Sequence, residues 1–239
     1  MNASGAIARA RARVRDQDNE FFTTDSGAVM YMINGTLEEI YSTLQFCEAQ
    51  LVYGHTTISC TTGTTGTTNE VSLSFKHAGF LKDGVYRKGY GDQPLFAVTE
   101  LDKRHYNMDG QTANRASPTT GPQVVRALPT AYYITEQGDT SASTMGFLHM
   151  PDNIYTFNLF YWKPISQVTA VTDPLPYNNI FDEYIVHKLV VEMLESMERD
   201  NSRASMLAQL ALNKAMQRVY VRGLQPRRAM SNMFAVGGV

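Results

Sequence analysis

Imidazole titrates nearest to neutrality and is the commonest metal ligand, so the five histidines are the first residues to test for chemistry. His55, His77, His105, His149 and His187 stand singly in the chain. No HExxH pair and no CxxC is present, so the spacings that set two zinc ligands on one helical face or one turn are missing. No GxSxG elbow, P-loop or GxGxxG occurs. Neither a strained nucleophile turn nor a phosphate cradle is therefore encoded in motif form. Carboxylates come as adjacent pairs, Glu38-Glu39 and Asp182-Glu183. Neighbours on a helix point about 100° apart, so these pairs read as solvated or ion-paired rather than as facing acid and base. Cys47 and Cys60 allow one disulfide or two free thiols; free thiols in a reducing compartment is the reading adopted. No catalytic residue, no metal site and no cofactor site is expected. A hydrolase with an unrecognised site would need a nucleophile and base brought together by the fold.

The chain's 239 residues suffice for one large domain or two small ones. With 21 Lys+Arg against 23 Asp+Glu, the formal net charge is -2, which excludes a basic nucleic-acid coat as a description of the whole protein. No apolar run reaches the roughly 20 residues of a membrane span. The opening MNASGAIARARARVRDQD alternates arginine with small residues and lacks an apolar segment, so no secretory signal is expected. Asn2-Ala3-Ser4 and Asn34-Gly35-Thr36 match the glycosylation pattern but lack that context and are set aside. Charge is unevenly placed. Asp173–Asp200 holds seven acids against Lys188 and Arg199, whereas Asn201–Val239 holds six bases and no acid. Such a switch can pair one helix with another, in the same subunit or in a neighbour.

Several elements follow from the periodicity. Ser4–Arg15 is rich in alanine and arginine, both good helix formers. Thr24 or Asp25 can cap a helix whose apolar face is Val29, Met32, Ile33, Leu37, Ile40, Tyr41, Leu44 and Leu51. At Val52 the texture changes. Residues 56–68 (TTISCTTGTTGTT) contain eight threonines, which suit strands or exposed loops. Glu70–Phe75, Leu95–Thr99, Ala131–Thr135, Met145–His149 and Ile154–Trp162 are strand-like. The last carries apolar residues on both faces, so it is expected to be central or covered on both sides. Residues 107–123 form a long polar loop. Helix returns near Asn178, with Ile185, Leu189, Met193 and Met197 flanked by Val186, Val190 and Leu194. After a break at Asp200-Asn201-Ser202, with Ser202 as cap, Met206, Leu207, Leu210, Ala211 and Val219 continue to a C′ glycine at Gly223. His187 reads as a hydrogen-bonded core or interface residue, and Met193, Met197, Met206 and Met216 as helix packing. The expected fold is α+β: a helical bundle built from N-terminal and C-terminal helices, with an inserted, mainly antiparallel β domain and a flexible C-terminal tail. Its expected parts are residues 1–51, 52–172, 173–223 and 224–239.

Read together, the two ends resemble the head-to-tail adaptor (connector) proteins of tailed bacteriophages. In segment 10–50, ARARVRDQDNEFFTTDSGAVMYMINGTLEEIYSTL has a short helix with VRD, an acidic linker, a capping Thr/Asp, then an amphipathic helix with Ile33-Asn34 and Glu39-Ile40. GFLHMPDNIYTFNLFYW (146–162) resembles the family's apolar strand, Pro-Asp turn and aromatic strand. Lys163-Pro164 and an extended linker follow. The segment PYNNIFDEYIVHKLVVEMLESMERDNSRASMLAQLALNKAMQRVYVRG resembles its closing helix pair. The Thr-rich segment and the 107–123 loop have no counterpart.

The resemblance implies a virion protein without catalysis. It implies a ring, usually of twelve copies, in the neck between capsid and tail, with the portal protein on one side and a tail nozzle or tube protein on the other. Double-stranded DNA passes through the channel without sequence-specific contacts, and the protein is made in the host bacterial cytoplasm. A ring needs two different complementary patches per subunit. Glu192 and Glu195 on the acidic helix, with Arg218 and Arg222 on the basic one, are the candidate ring-interface residues. Leu224–Val239 is aperiodic, and Arg227, Arg228, Met230, Met233 and Phe234 are its candidate portal-binding anchors. A tail-associated receptor- or carbohydrate-binding virion protein is the alternative, suggested by the aromatic strand and Thr-rich loops.

Overall fold

The computed structural model describes residues 1–15, 27–60, 70–89, 94–98, 128–134, 143–148, 151 and 153–221. The chain divides into two compact units: Met1–Val52 with Ile165–Val239, and Tyr53–Pro164. Mixed α+β architecture follows, with helices at both ends of the chain and strands between them. Residues 165–172 belong with the helices, so the unit boundary lies earlier than the expected 172.

Among the described residues the first unit holds helices α1 (Ala3–Val14), α2 (Gly27–Phe46), α3 (Asp182–Ser196) and α4 (Ser202–Val221). α1 starts where Asn2 accepts a hydrogen bond from the Gly5 amide at 3.0 Å, and ends at Arg15, which takes a left-handed φ of 63°. Its buried face is small: Ala3, Ala6, Ile7, Ala10 and Val14. The first amides of α1 have no intrahelical partner. The linker supplies them, because Ala3 N donates to Asp173 O at 3.0 Å and Ser4 N to Val171 O at 2.8 Å. The α-ammonium of Met1 lies 3.0 Å from Asp182 Oδ2 and also donates to Asn179 Oδ1.

α1, α2 and α4 all pack on α3. That explains the wide buried arc of α3, which includes Tyr184, Ile185, Val186, Leu189, Val190, Val191 and Met193. α4 reverses one sequence expectation. Its inward face is Ala204, Ala208, Ala211, Ala215, Met216 and Val219, while Met206, Leu207 and Leu210 are exposed. Alanines at helical spacing let α4 approach α3 closely, and the larger side chains cannot fit in that contact. Met193 and Met216 pack in the core as expected, but Met206 does not. The break before α4 is fixed by Asp200 rather than by Ser202. Asp200 Oδ1 accepts from the Ser202 amide at 3.0 Å and from its hydroxyl. These bonds hold the Asp200 carboxyl below its ordinary pKa. The expected cap at Thr24 or Asp25 and the expected stop at Gly223 lie outside the described residues.

The second unit is built from two sheets, ordered β1-β7-β3 and β2-β6-β5-β4. The strands are β1 (Tyr53–Cys60), β2 (Glu70–Ser72), β3 (Phe80–Arg87), β4 (Phe96–Ala97), β5 (Ala131–Ile134), β6 (Thr144–Leu148) and β7 (Tyr155–Trp162). Pairing is antiparallel except between β4 and β5. The doubly apolar β7 is central, with β1 and β3 on its two sides. Leu73, Val85, Tyr132, Met145, Phe147, Phe157 and Leu159 form the core. β3 carries no clear strand signal because Asp83-Gly84 reads as a turn. In the fold that dipeptide makes a bulge between Phe80 and Val85. Asp83 has φ 57°, and a Cβ at Gly84 would meet Leu81 O and Phe160 O at 2.8 Å. Across β5 and β6 the Tyr133 ring lies over Gly146, its cross-strand partner, where a Cβ would come within 2.1 Å of the ring. Cys47 and Cys60 are free, buried and in different units.

The linker is tied to α2 by one side chain. Asn34 Nδ2 donates to Val168 O at 3.1 Å, and Val168 N donates to Asn34 Oδ1 at 2.9 Å. The amide thus imitates a strand neighbour for a buried residue. Asn34→Ala leaves both Val168 groups unpaired and is expected to destabilise the protein by about 1–3 kcal/mol. Urea unfolding checks this, and a loss under about 0.5 kcal/mol would show that the bridge is not structural.

Candidate assembly interface

The adjacent carboxylates diverge as helix geometry requires. Glu39 turns to α3, where Tyr184 Oη donates to its Oε1 at 2.7 Å and Lys188 Nζ lies 3.0 Å from its Oε2. Glu38 is exposed. Asp182 meets Met1, whereas Glu183 faces Lys214 at 3.6 Å, an exposed pair of little energetic value.

Placement separates the four candidate ring-interface residues. Glu192 is half-buried near Lys188 and Glu39. Burial raises its pKa, Lys188 works against that, and the charges of Glu39 and Glu195 add to it. Glu195 is exposed and accepts from Asn201 Nδ2 at 2.6 Å. Arg218 is exposed and makes no ion pair among the described residues; Arg203 shares both properties. Arg222 and the candidate anchors Arg227, Arg228, Met230, Met233 and Phe234 lie outside the described residues. The acidic and basic segments are therefore joined by one weak described bridge, and most of their exposed charge has no described ion-pair partner within the subunit.

Large apolar residues outside the four candidates are exposed on α2 and on α4. Tyr31 is 81% exposed, Phe46 64%, Met206 59% and Leu210 57%. The signal was present in α4 as two apolar faces, one alanine and one Met/Leu. Large apolar side chains left in solvent on the second face are what a partner would cover.

The histidines and the β unit show what other chemistry is at hand. His77 Nε2 contacts Ser143 Oγ, the one histidine–hydroxyl pairing among the described residues. Ser143 is only 3% exposed, and His77 Nδ1 has no hydrogen-bond partner, so the pair has neither substrate access nor an orienting acid among the described residues. Burial lowers the pKa of His77. No group of three potential metal ligands occurs among the described residues, and no described helix is long and apolar enough to cross a membrane. His105 and His149 lie outside the described residues. On the sheet face turned from the core, Tyr53, His55 and Tyr86 gather round Phe160, with ring centroids 6.1, 4.7 and 5.9 Å away.

His187 lies under a guanidinium. Arg13 Nη1 is 3.2 Å from each of its ring nitrogens. Burial first, and then the Arg13 charge, lower the His187 pKa, with Glu183 acting weakly against them. The unfolded chain therefore takes up this proton more readily than the folded one. The histidine's contribution is complete above its ordinary value of 6.5 and declines as the pH falls below it. His187→Gln is expected to flatten the fall in stability between about pH 7 and pH 5. Parallel melting curves for both proteins across that window would refute this.

Comparison with known proteins agrees in one respect and is silent in another. The model of a family described as SU10 adaptor protein matches residues 1–236. Among curated proteins, none matches the chain.

Proposed function

We infer that this chain, which belongs to the SU10 adaptor protein family and is a structural adaptor of a bacteriophage virion, forms a cyclic ring that joins the portal to the tail. The observation that carries the reading is the match over residues 1–236, which spans both units rather than one of them. The ring is taken as twelve copies, in the virion neck, with the helical unit as its body and double-stranded DNA passing through. A channel that held phosphates through many Lys and Arg would impede passage. The slightly acidic total charge of -2 suits a conduit better than a clamp. Arg203 and Arg218, exposed and without an ion pair among the described residues, and the exposed apolar residues of α2 and α4 support a surface kept for partners. Imaging of purified necks is expected to show this protein as a ring between portal and tail. Finding it elsewhere in the particle, or not in the particle, ends the reading.

Two expectations concern the parts of the ring. Leu224–Val239 is assigned to portal binding through Arg227, Arg228, Met230, Met233 and Phe234. Truncation after Gly223 should give a folded protein that no longer joins portal-bearing heads, and unchanged attachment refutes the assignment. Glu192, Glu195, Arg218 and Arg222 are assigned to subunit contacts. Reversing Arg218 and Arg222 to Glu together should reduce ring assembly, whereas rings at the wild-type level would show that this charge is incidental.

The aromatic cluster around Phe160 favours a second reading, a tail-associated receptor- or carbohydrate-binding virion protein, because flat rings on a sheet face suit sugar stacking. Retention on a glycan array, lost in Phe160→Ala, would support it; no retention discards it.

A further inference from the structure

We propose that the outward faces of α2 and α4 are the two halves of one contact between copies, α4 of one subunit lying parallel along α2 of the next. The inference rests on the ring reading and names its surfaces. Both helices have 20 residues, and both pack on α3, so their outward faces point away from the same central helix. One subunit cannot bring those two faces together, but a neighbour can. The resulting contact is heterologous and repeats by rotation.

Charge and shape both select this pairing. α2 carries no base and presents Glu38 outward, its other acid Glu39 being held by α3, and α4 contains Arg203, Lys214 and Arg218 and no acid. Each face also exposes large apolar side chains, whose removal from water favours association. On α2 the outward row runs Tyr31, Gly35, Glu38, Phe46; on α4 it runs Met206, Leu210, Lys214, Tyr220. With Leu210 set opposite Gly35 and the helices parallel, Tyr31 comes level with Met206. Glu38 comes within a turn of Lys214, and Phe46 comes beside Tyr220. The antiparallel arrangement about the same centre carries Phe46 past the start of α4 and faces Tyr31 with Lys214. Gly35 has a role in this contact that its own subunit does not require. A Cβ there would meet nothing within 4 Å. Opposite Leu210, the missing side chain makes room.

The test is a cysteine pair, Gly35→Cys with Leu210→Cys, in the full chain incorporated into portal-bearing necks. Both positions are open, and the native Cys47 and Cys60 are buried. Oxidation is expected to give a covalent ladder of multimers from the double variant and none from either single variant. An amine-reactive cross-linker applied to the same necks separates the two levels of the argument. Monomer alone with that reagent ends the ring reading, and this inference with it. Multimers with that reagent but no disulfide ladder overturn this inference only. As a second arm, Leu210→Glu should melt as the wild type does, because the side chain is exposed, yet enter necks at least about tenfold less well. Incorporation at the wild-type level overturns the proposal.

Discussion

The antiparallel register of β1 on β7, with Tyr53 opposite Trp162 and Cys60 opposite Tyr155, is the constraint on which the rest of the molecule depends. The chain leaves its helical unit after Val52 and re-enters it at Ile165. Pairing the first and last strands of the insertion sets those two crossings side by side, however long the loops between. Two helices from the start of the sequence and two from its end can then build one bundle. β7 sustains the closure because it is paired on both edges, and Phe157 and Leu159 anchor its inner face in the core.

Within the bundle α3 plays the corresponding part. It supplies large side chains over a wide arc, and α1 and α4 meet it with alanine-rich faces. Large-on-small packing brings the helix axes close and leaves little room for irregular side chains between them. It also has an outward consequence. Because α4 buries alanines, its Met206, Leu207 and Leu210 are left to solvent. Helix packing inside the subunit and apolar exposure outside it are thus one choice of sequence.

Legibility followed the strength of the local pattern. α2, α3 and β7 were readable because each has a long run at a single period; in α2 the predicted Val29, Ile33, Leu37, Ile40, Tyr41 and Leu44 are buried, with Thr36 beside them, whereas Met32 is half-buried and Leu51 falls beyond the helix end at Phe46. β3 was not, since Asp83-Gly84 breaks its alternation and serves as a bulge that only the neighbouring strand explains. The orientation of α4 was not, because alanine gives a weak hydropathy signal and yet decides the close contact. Residues 165–172 were assigned with the strands because they read as extended. Asn34 binds them to α2 through a side-chain amide, which leaves no periodic trace. For the candidate interface, the split between acidic and basic segments was plain in the sequence. Which charges turn inward was not, since Glu192 lies beside Lys188 and Glu39 only through the packing of α2 on α3.

An adaptor that joined its partners in a ring would face opposing demands, and the helical unit carries features suited to both. A subunit with a large apolar patch would associate before its place was ready. A subunit with all its charges paired internally would have nothing to direct it. Here the exposed apolar residues lie along two helices among polar positions such as Ser42 and Gln217, with Met206 and Leu207 adjacent. The charges beside them carry one sign on α2 and the other on α4. Scattered apolar residues with single-sign rows attract weakly one contact at a time and strongly once held in register. In the proposed ring, a neighbour already fixed on a circular platform would supply that register. The surface is therefore built to respond to a template, and the buried α1–α3 and α3–α4 contacts keep it rigid enough to match one.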